Sequence, residues 1–143
     1  RAMIDAILFD LQPTLKERNA SCSIGDLPVV HSHPTALRSI FQNLIVNAAR
    51  YGKPGVDLEL VIDAVAEGDE WVFSVRDNGI GIAPQHQERI FKIFQRLHAR
   101  SEYEGTGVGL AVVTKLVAQL GGRVWLESEI DQGTTFYVSI KKA

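Results

Sequence analysis

The chain has 143 residues, a length that accommodates one compact domain with a single core and is too short for two. Hydrophobic residues make up 45% of the chain and charged residues 22%, proportions that argue against a disordered chain or a fibrous repeat. The formal net charge of -2 excludes a strongly basic nucleic-acid binder, because such binding requires clustered Lys and Arg.

The first part of the chain predicts two helices with a short strand between them. Apolar residues recur at helical spacing over 4–15, and Pro13 should kink or end that helix. A strand is expected at 21–24. A second helix, with Pro34 near its first turn, should continue to about Tyr51, where glycines and a proline stop it. Its apolar stripe comprises Leu37, Ile40, Phe41, Leu44, Ile45 and Ala48.

The middle of the chain predicts a hairpin followed by a helix and a loop. Strands at about 56–66 and 70–77 are joined by a turn at 67–69, so they should pair in antiparallel fashion. The segment 85–94 has a helical pattern. The segment 98–104 is polar and lacks periodicity, which is typical of a loop.

The last part of the chain predicts another helix and a second pair of strands. The helix, marked by apolar residues over 110–120, should end at Gly121-Gly122, where a left-handed cap is favoured. The strands at about 123–128 and 134–141 turn at 131–133. Helices at three points and strands in two hairpins predict an α/β (α+β) two-layer sandwich, with one layer of helices on a mixed or antiparallel sheet.

A polar stripe follows one edge of the helix at 37–50. Each helical residue advances about 100°, so Asn43, Asn47 and Arg50 share this stripe beside the apolar face. The side-chain carbonyl of Asn suits Mg²⁺, which takes few protein ligands and the rest from phosphate and water, and Arg50 could then meet phosphate. A solvated flank explains the same residues equally well for this helix alone.

Asp77 ends an otherwise apolar strand face, because the preceding residues of the same parity are Trp71, Phe73 and Val75. A carboxylate in that position requires hydrogen-bond donors. The exocyclic amine of adenine, with a bridging water, would supply them without a protein cation. The alternative is a plain hairpin turn at 77–79, but the following segment 80–84 carries two more helix- and strand-breaking residues and no returning strand.

The glycine-rich run Gly105-Thr106-Gly107-Val108-Gly109 leads directly into the helix that begins near 108–110. Small residues let backbone N–H groups reach phosphate oxygens, and a helix N-terminus adds unpaired donors. The spacing differs from the dinucleotide fingerprint, and no P-loop sequence occurs. The alternative is a flexible linker before a helix.

Thr134 begins the last strand, whose inner face continues with Phe136, Val138 and Ile140. Its hydroxyl therefore lies among apolar neighbours and could serve the same base-recognition site as Asp77. An ordinary turn threonine is about equally compatible with the pattern.

Five ordered motifs connect these observations: Asn43-Leu-Ile-Val-Asn47-Ala-Ala-Arg50-Tyr51, Asp77-Asn-Gly79-Ile-Gly81-Ile, Phe91-Lys-Ile-Phe94, Gly105-Thr-Gly107-Val-Gly109-Leu and Gly133-Thr-Thr-Phe136. Their order and spacing closely resemble the N, G1, F, G2 and G3 boxes of sensor histidine kinases. That family shares the Bergerat ATP-binding fold with gyrase-type and heat-shock-chaperone ATPases. The resemblance covers nearly the whole chain, and the stretch 94–105 looks like the phytochrome-type and related soluble-sensor kinases.

The resemblance implies a role for each motif in binding Mg-ATP. It makes Asn47 a catalytic ligand of Mg²⁺ with Asn43 close by, and Asp77 the partner of the adenine amino group. It also makes 82–104 the ATP lid, anchored by Phe91 and Phe94. The predicted nucleotide-binding residues are Asn43, Asn47, Arg50, Tyr51, Asp77, Gly79, Gly81, Ile82, Arg96, His98, Gly105, Thr106, Gly107, Val108, Gly109, Leu110 and Thr134.

Two positions depart from the family pattern. Arg50, the second predicted catalytic residue, stands where the family often has Lys, which keeps the charge and changes the donor geometry. His33 stands where an acidic residue is common, outside the expected site.

The resemblance further implies that this chain is one half of a two-component kinase, the catalytic domain. Such a domain presents the γ-phosphoryl of Mg-ATP to a histidine on a dimerisation domain. The histidines of this chain lack the family's acceptor surroundings; they are His31, His33, His86 and His98. We therefore expect the acceptor upstream of Arg1, a helix at 1–20 following that domain, and the ATP-binding catalytic domain at 21–143. A response-regulator receiver domain is the expected further partner.

Two other functions remain open from the sequence. One is a degenerate nucleotide-binding module that regulates a partner by docking, and the other is a same-fold ATPase or serine kinase. The single cysteine, Cys22, fits a reducing compartment, and no apolar run approaches the roughly 20 residues needed to span a bilayer. We expect a cytoplasmic domain without direct membrane insertion, either free or as the cytoplasmic part of a membrane-bound sensor.

Overall fold

The computed structural model describes residues 2–28, 30, 33–50, 52–53, 55–82 and 107–141. Within these ranges the helices are α1 (Ala2–Asp10), α2 (Gln12–Glu17), α3 (Pro34–Arg50) and α4 (Gly107–Gln119). The strands are β1 (Ser21–Ile24), β2 (Glu59–Glu67), β3 (Glu70–Asp77), β4 (Arg123–Glu129) and β5 (Gly133–Lys141). The helix predicted at 85–94 and the loop predicted at 98–104 lie outside the described residues. None of the helices in these ranges is long and apolar enough to cross a bilayer.

The strands form one five-stranded sheet in the order β1-β2-β3-β5-β4. β1 pairs with β2 in parallel, and the three other pairs are antiparallel. The predicted mixed, mostly antiparallel sheet is therefore confirmed. β5 inserts between β3 and β4, which brings the end of β3 beside the turn that joins β4 to β5.

The helices cover one face of the sheet, and a single core fills the space between the two layers. Apolar side chains of α3 pack onto the inner sheet face, where the rings of Phe41 and Phe73 meet edge to face at 5.2 Å. Ile4 and Ile7 of α1 are buried in the same core. The outer face is more open, with Val61, Asp63, Val65 and Arg76 exposed. The predicted two-layer sandwich is confirmed.

Proline and glycine set the helix boundaries much as the sequence predicts. α1 ends at Asp10, and Pro13 lies in the first turn of α2, where its missing N–H is tolerated. α4 ends in a Schellman motif. Gly121 has a φ of 74° and donates its N–H to Ala118 O at 3.0 Å, while Gly122 donates to Val117 O at 3.0 Å.

β2 begins at Glu59, three residues later than predicted, because the side chain of Asn78 occupies its entrance. Asn78 Oδ1 accepts a hydrogen bond from Glu59 N at 2.8 Å, and Asn78 Nδ2 donates to Asp57 O at 3.0 Å. The amide group of Asn78 thus takes the place of a backbone partner at the end of the β2–β3 pair.

Candidate functional site

Asp77 is the last residue of β3 and is buried on the inner sheet face, with 6% of its surface exposed. Its Oδ1 accepts hydrogen bonds from Gly79 N at 2.8 Å and from Thr134 N at 3.3 Å. Within the described residues, no donor reaches Oδ2. The carboxylate therefore has one satisfied oxygen and one that can accept from a ligand.

Burial raises the pKa of Asp77 above its ordinary value, and the backbone hydrogen bonds from Gly79 and Thr134 oppose that rise. Desolvation is the largest cause of the shift, and no cation is among the groups that change the pKa of Asp77. A hydrogen-bond donor brought to Oδ2 would stabilise the charged carboxylate and lower its pKa. The carboxylate is thus suited to bind a neutral ligand group that donates a hydrogen bond.

The segment after Asp77 leaves the sheet and packs against the β4–β5 turn. Gly81 has a φ of 76°, and a Cβ atom there would overlap Glu129 O. Ile80 O accepts a hydrogen bond from Asp131 N at 2.8 Å. Residues 78–82, the part of this segment that the structure describes, therefore form no returning hairpin strand, and the nucleotide-binding role of the turn stays a prediction.

Thr134 lies beside Asp77 at the start of β5 and is buried, as the strand pattern predicts. Its hydroxyl bonds to Ser128 Oγ at 2.7 Å. Ser128 also accepts from Ile82 N at 2.7 Å, so this serine joins two predicted site residues. We did not predict Ser128, although its parity with Val124 and Leu126 resembles the signal that identified Asp77.

The predicted polar stripe of α3 is only partly solvent-exposed. Asn47 is buried, with 8% exposure, and its Oδ1 has no hydrogen-bond partner among the described residues. Asn43 is half-buried, and its Nδ2 donates to Ser39 O at 2.7 Å. A solvated flank does not account for Asn47, because a buried carbonyl oxygen without a partner is unfavourable by about 1–3 kcal/mol.

This arrangement fits Mg²⁺ at Asn47. The ion prefers oxygen ligands and takes one or two from protein and the rest from phosphate and water. The side-chain nitrogen of Asn43 donates to Ser39, which fixes the orientation of the amide group. Oδ1 of Asn43 is then an acceptor one helical turn from Asn47. Residues of α3 could therefore hold the metal of a metal-nucleotide complex.

The remaining predicted site residues are described in part or lie outside the described ranges. The structure describes the backbone of Gly107, Val108, Gly109 and Leu110 as the first turn of α4, so the glycine run leads into a helix as predicted. The side chain of Arg50 lies outside what the structure describes. The same holds for all of Tyr51, Arg96, His98, Gly105 and Thr106.

The described residues assemble around the end of β3. Asp77, Gly79, Ile82 and Thr134 are joined through hydrogen bonds, and α3, which carries Asn47, packs on β3 and on α4. Acceptor oxygens on the sheet and an unpartnered oxygen on a helix are features of a site for a polar ligand with a metal ion.

Residues 32–143 match the family described as "Histidine kinase-, DNA gyrase B-, and HSP90-like ATPase". Similar proteins include Cyanobacterial phytochrome A of Nostoc sp., 46% identical over 137 residues, which are 96% of this chain and 18% of that protein. Phytochrome-like protein Cph1 of Synechocystis sp. is 44% identical over 139 residues, which are 96% of this chain and 18% of that protein. The chain therefore spans less than a fifth of the length of these relatives.

Solved structures with the same fold include full-length ShkA in complex with AMPPNP. Its TM-score to this chain is 0.80 at 28% identity, covering 99% of this chain and 30% of that one. The catalytic domain of histidine kinase ThkA has a TM-score of 0.78 at 23% identity, covering 99% of this chain and 91% of that one, which is a likeness of fold alone.

Proposed function

This chain belongs to the histidine kinase-, DNA gyrase B- and HSP90-like ATPase family, and from that premise we propose that it is the ATP-binding catalytic domain of a sensor histidine kinase. In this proposal it binds Mg-ATP and presents the γ-phosphoryl group to a histidine on a separate dimerisation domain. Its curated relatives include several histidine kinases, and its fold is that of histidine kinase catalytic domains.

The observation that carries the proposal is the buried carboxylate of Asp77. One oxygen is held by two backbone N–H groups, and desolvation raises the pKa of the group. The adenine amino group is a neutral donor that would bind to the other oxygen. Thr134 and Gly79 fix the carboxylate, and Gly81 and Ile82 would line the base beside it.

The phosphate end of the site would be formed by α3 and α4. Asn47, with Asn43 beside it, would hold Mg²⁺ through Oδ1, which has no hydrogen-bond partner in the described part of the chain, and Arg50 and Tyr51 would extend this wall. The glycines at the start of α4 would bring backbone N–H groups and the positive end of the helix close to the phosphates. A bound Mg²⁺ would neutralise negative charge on the phosphates as the γ-phosphoryl group is transferred.

The remaining predicted contacts belong to the proposal as well. Arg96 and His98 would approach the phosphates from the lid at 82–104, and Thr106 and Gly105 would precede the α4 contacts. The phosphoacceptor histidine would lie on a dimerisation domain that precedes residues 1–20, and a receiver domain would take the phosphoryl group from it. Catalysis in this chain would then consist mainly of positioning and charge neutralisation.

Two measurements test this function. Calorimetric titration of the chain with Mg-ADP should give a saturable, enthalpic binding curve, and absence of binding would overturn the proposal. Labelled ATP, the chain and a separately produced dimerisation domain should together give an acid-labile label on histidine. Nucleotide binding without such a label would favour the degenerate regulatory module, and an acid-stable label on serine would favour the serine kinase.

A further inference from the structure

Among the described residues, three polar contacts of the Ser128 hydroxyl lie at the base end of the proposed site. It lies 2.7 Å from Ile82 N, 2.9 Å from Gly133 O and 2.7 Å from Thr134 Oγ1. Ser128 is directly opposite Thr134 in the β4–β5 register and is half-buried. The hydroxyl therefore joins the segment after Asp77, the β4–β5 turn and the first residues of β5.

Counting protons assigns a direction to each contact. A serine hydroxyl has one proton and two lone pairs. Ile82 N can only donate, so it uses one lone pair of Ser128 Oγ, and Gly133 O can only accept, so it takes the serine proton. The contact with Thr134 is then a hydrogen bond only if Thr134 donates. If Ser128 instead donated to Thr134, no proton would lie between Ser128 Oγ and Gly133 O, which are 2.9 Å apart.

This assignment makes Thr134 Oγ1 an acceptor towards the ligand, because its proton is directed at Ser128. Asp77 beside it accepts two backbone hydrogen bonds through Oδ1, and no donor among the described residues reaches its Oδ2. The described wall of the base site therefore offers acceptors and no side-chain donor. A ligand group facing it must donate hydrogen bonds, and a carbonyl oxygen in the same place would meet other lone pairs.

We propose that Ser128 is a specificity-determining residue of the nucleotide site, which holds Thr134 as an acceptor and so selects a base that carries an amino group at C6 over one that carries a carbonyl. The inference rests on the proposed nucleotide-binding function. Ser128 acts through Thr134 without contacting the base, so it is a positioning residue. Ser128→Ala would release the proton of Thr134 to point into the site.

The test compares ADP with inosine diphosphate by calorimetry, because the two ligands differ only in the hydrogen-bonding edge of the base and share the phosphates and the metal. The wild-type chain should prefer ADP. Ser128→Ala should lower the ratio of the two affinities by about fivefold, the value of roughly one hydrogen bond, since Thr134 can then donate to the C6 carbonyl. Ser128→Thr, which keeps a hydroxyl, should restore the wild-type ratio.

The Thr134→Val background provides the decisive control. If Ser128 acts through the threonine hydroxyl, adding Ser128→Ala to Thr134→Val should leave the ratio unchanged. Ser139→Ala is the matched control for a lost buried hydroxyl, because Ser139 Oγ accepts from Arg123 N at 3.0 Å on the opposite face of the sheet. It should lower the thermal stability and leave the ratio as in the wild type.

An unchanged ratio in Ser128→Ala would overturn the inference, even if both affinities or the melting temperature fell, because that is the result of a purely structural role. A change of equal size in the Thr134→Val background would overturn it too. If Ser128→Ala does not fold, Ser128→Cys keeps the shape but its sulfur is only a weak acceptor for the Thr134 proton, so it should also lower the ratio. Failure of the wild type to bind ADP would instead overturn the proposed function, and this inference with it.

Discussion

Replacing Asp77 by Asn separates a base-contacting role of this residue from a structural one. Asn is nearly isosteric, and its Oδ1 can still accept from Gly79 N and Thr134 N, which now lie at 2.8 and 3.3 Å. The amide nitrogen then takes the place of Oδ2. A donor would therefore face the adenine amino group, which also donates.

The two expected effects of Asp77→Asn have opposite signs. Hydrogen bonds to a charged group contribute about 1.5–3 kcal/mol, so Mg-ADP affinity should fall by roughly 10- to 150-fold. The free energy of unfolding at neutral pH should stay the same or rise, because a desolvated charge is removed from the core. Each ~1 kcal/mol of relief would raise the melting temperature by roughly 3–5 °C for a chain of this size.

Calorimetric titration and thermal unfolding measure the two effects on the same samples. Asp69→Asn is the matched control, because Asp69 is exposed in the β2–β3 turn, and it should change neither quantity. Unchanged affinity in Asp77→Asn would refute the adenine contact. A parallel loss of affinity and melting temperature would show that Asp77 supports the fold and only indirectly the site.

Three further outcomes follow from residues near the site. Asn47→Leu should raise the free energy of unfolding by about 1–2 kcal/mol, because it removes a buried oxygen that has no partner among the described residues, and it should abolish the gain in ADP affinity that Mg²⁺ provides over EDTA. Gln42→Leu, on the exposed side of the same helix, should keep that gain. A gain that persists in Asn47→Leu would exclude the metal contact. Gly81→Ala should lower the free energy of unfolding, measured in urea, by about 2 kcal/mol or more beyond the loss in Gly68→Ala. Both glycines have positive φ, but of the two only Gly81 has backbone atoms where the new Cβ would lie. Equal losses in the two variants would contradict the close approach of Gly81 to Glu129. The raised pKa of Asp77 means that the folded state holds this proton at higher pH than the unfolded state does. The free energy of unfolding of the unliganded chain should therefore fall as the pH rises from about 3.8 through the pKa of the folded state, and Asp77→Asn should remove this dependence. An identical pH profile in the variant would show that other groups cause it.

Much of the fold could be predicted because local patterns were unambiguous. The apolar stripe of α3 and the alternation of β3 and β5 each identify a buried face from neighbouring residues alone. The burial of Asp77 and Thr134 followed from the same parity, and both predictions are confirmed. The roles assigned to the site residues stay predictions, as do the helix at 85–94 and the contacts of Arg96 and His98.

The strand order could not be predicted in this way. The parallel pairing of β1 with β2 and the insertion of β5 between β3 and β4 join segments that are far apart along the chain. Alternation specifies which face of a strand is buried and leaves its neighbours in the sheet undetermined.

The sequence by itself determined the apolar faces of α3, β3 and β5 and the places where Asp77 and Thr134 interrupt two of them, because helical and strand periodicities depend on residues only a few positions apart. Only the tertiary structure decided how those polar groups are connected. Ile82 and Thr134 meet at Ser128, Asn78 closes the entrance of β2, and Gly81 lies against Glu129, through contacts that no local pattern encodes. The orientation of a hydroxyl such as that of Thr134 depends on these distant partners, so the hydrogen-bonding character of the base site is a property of the folded chain.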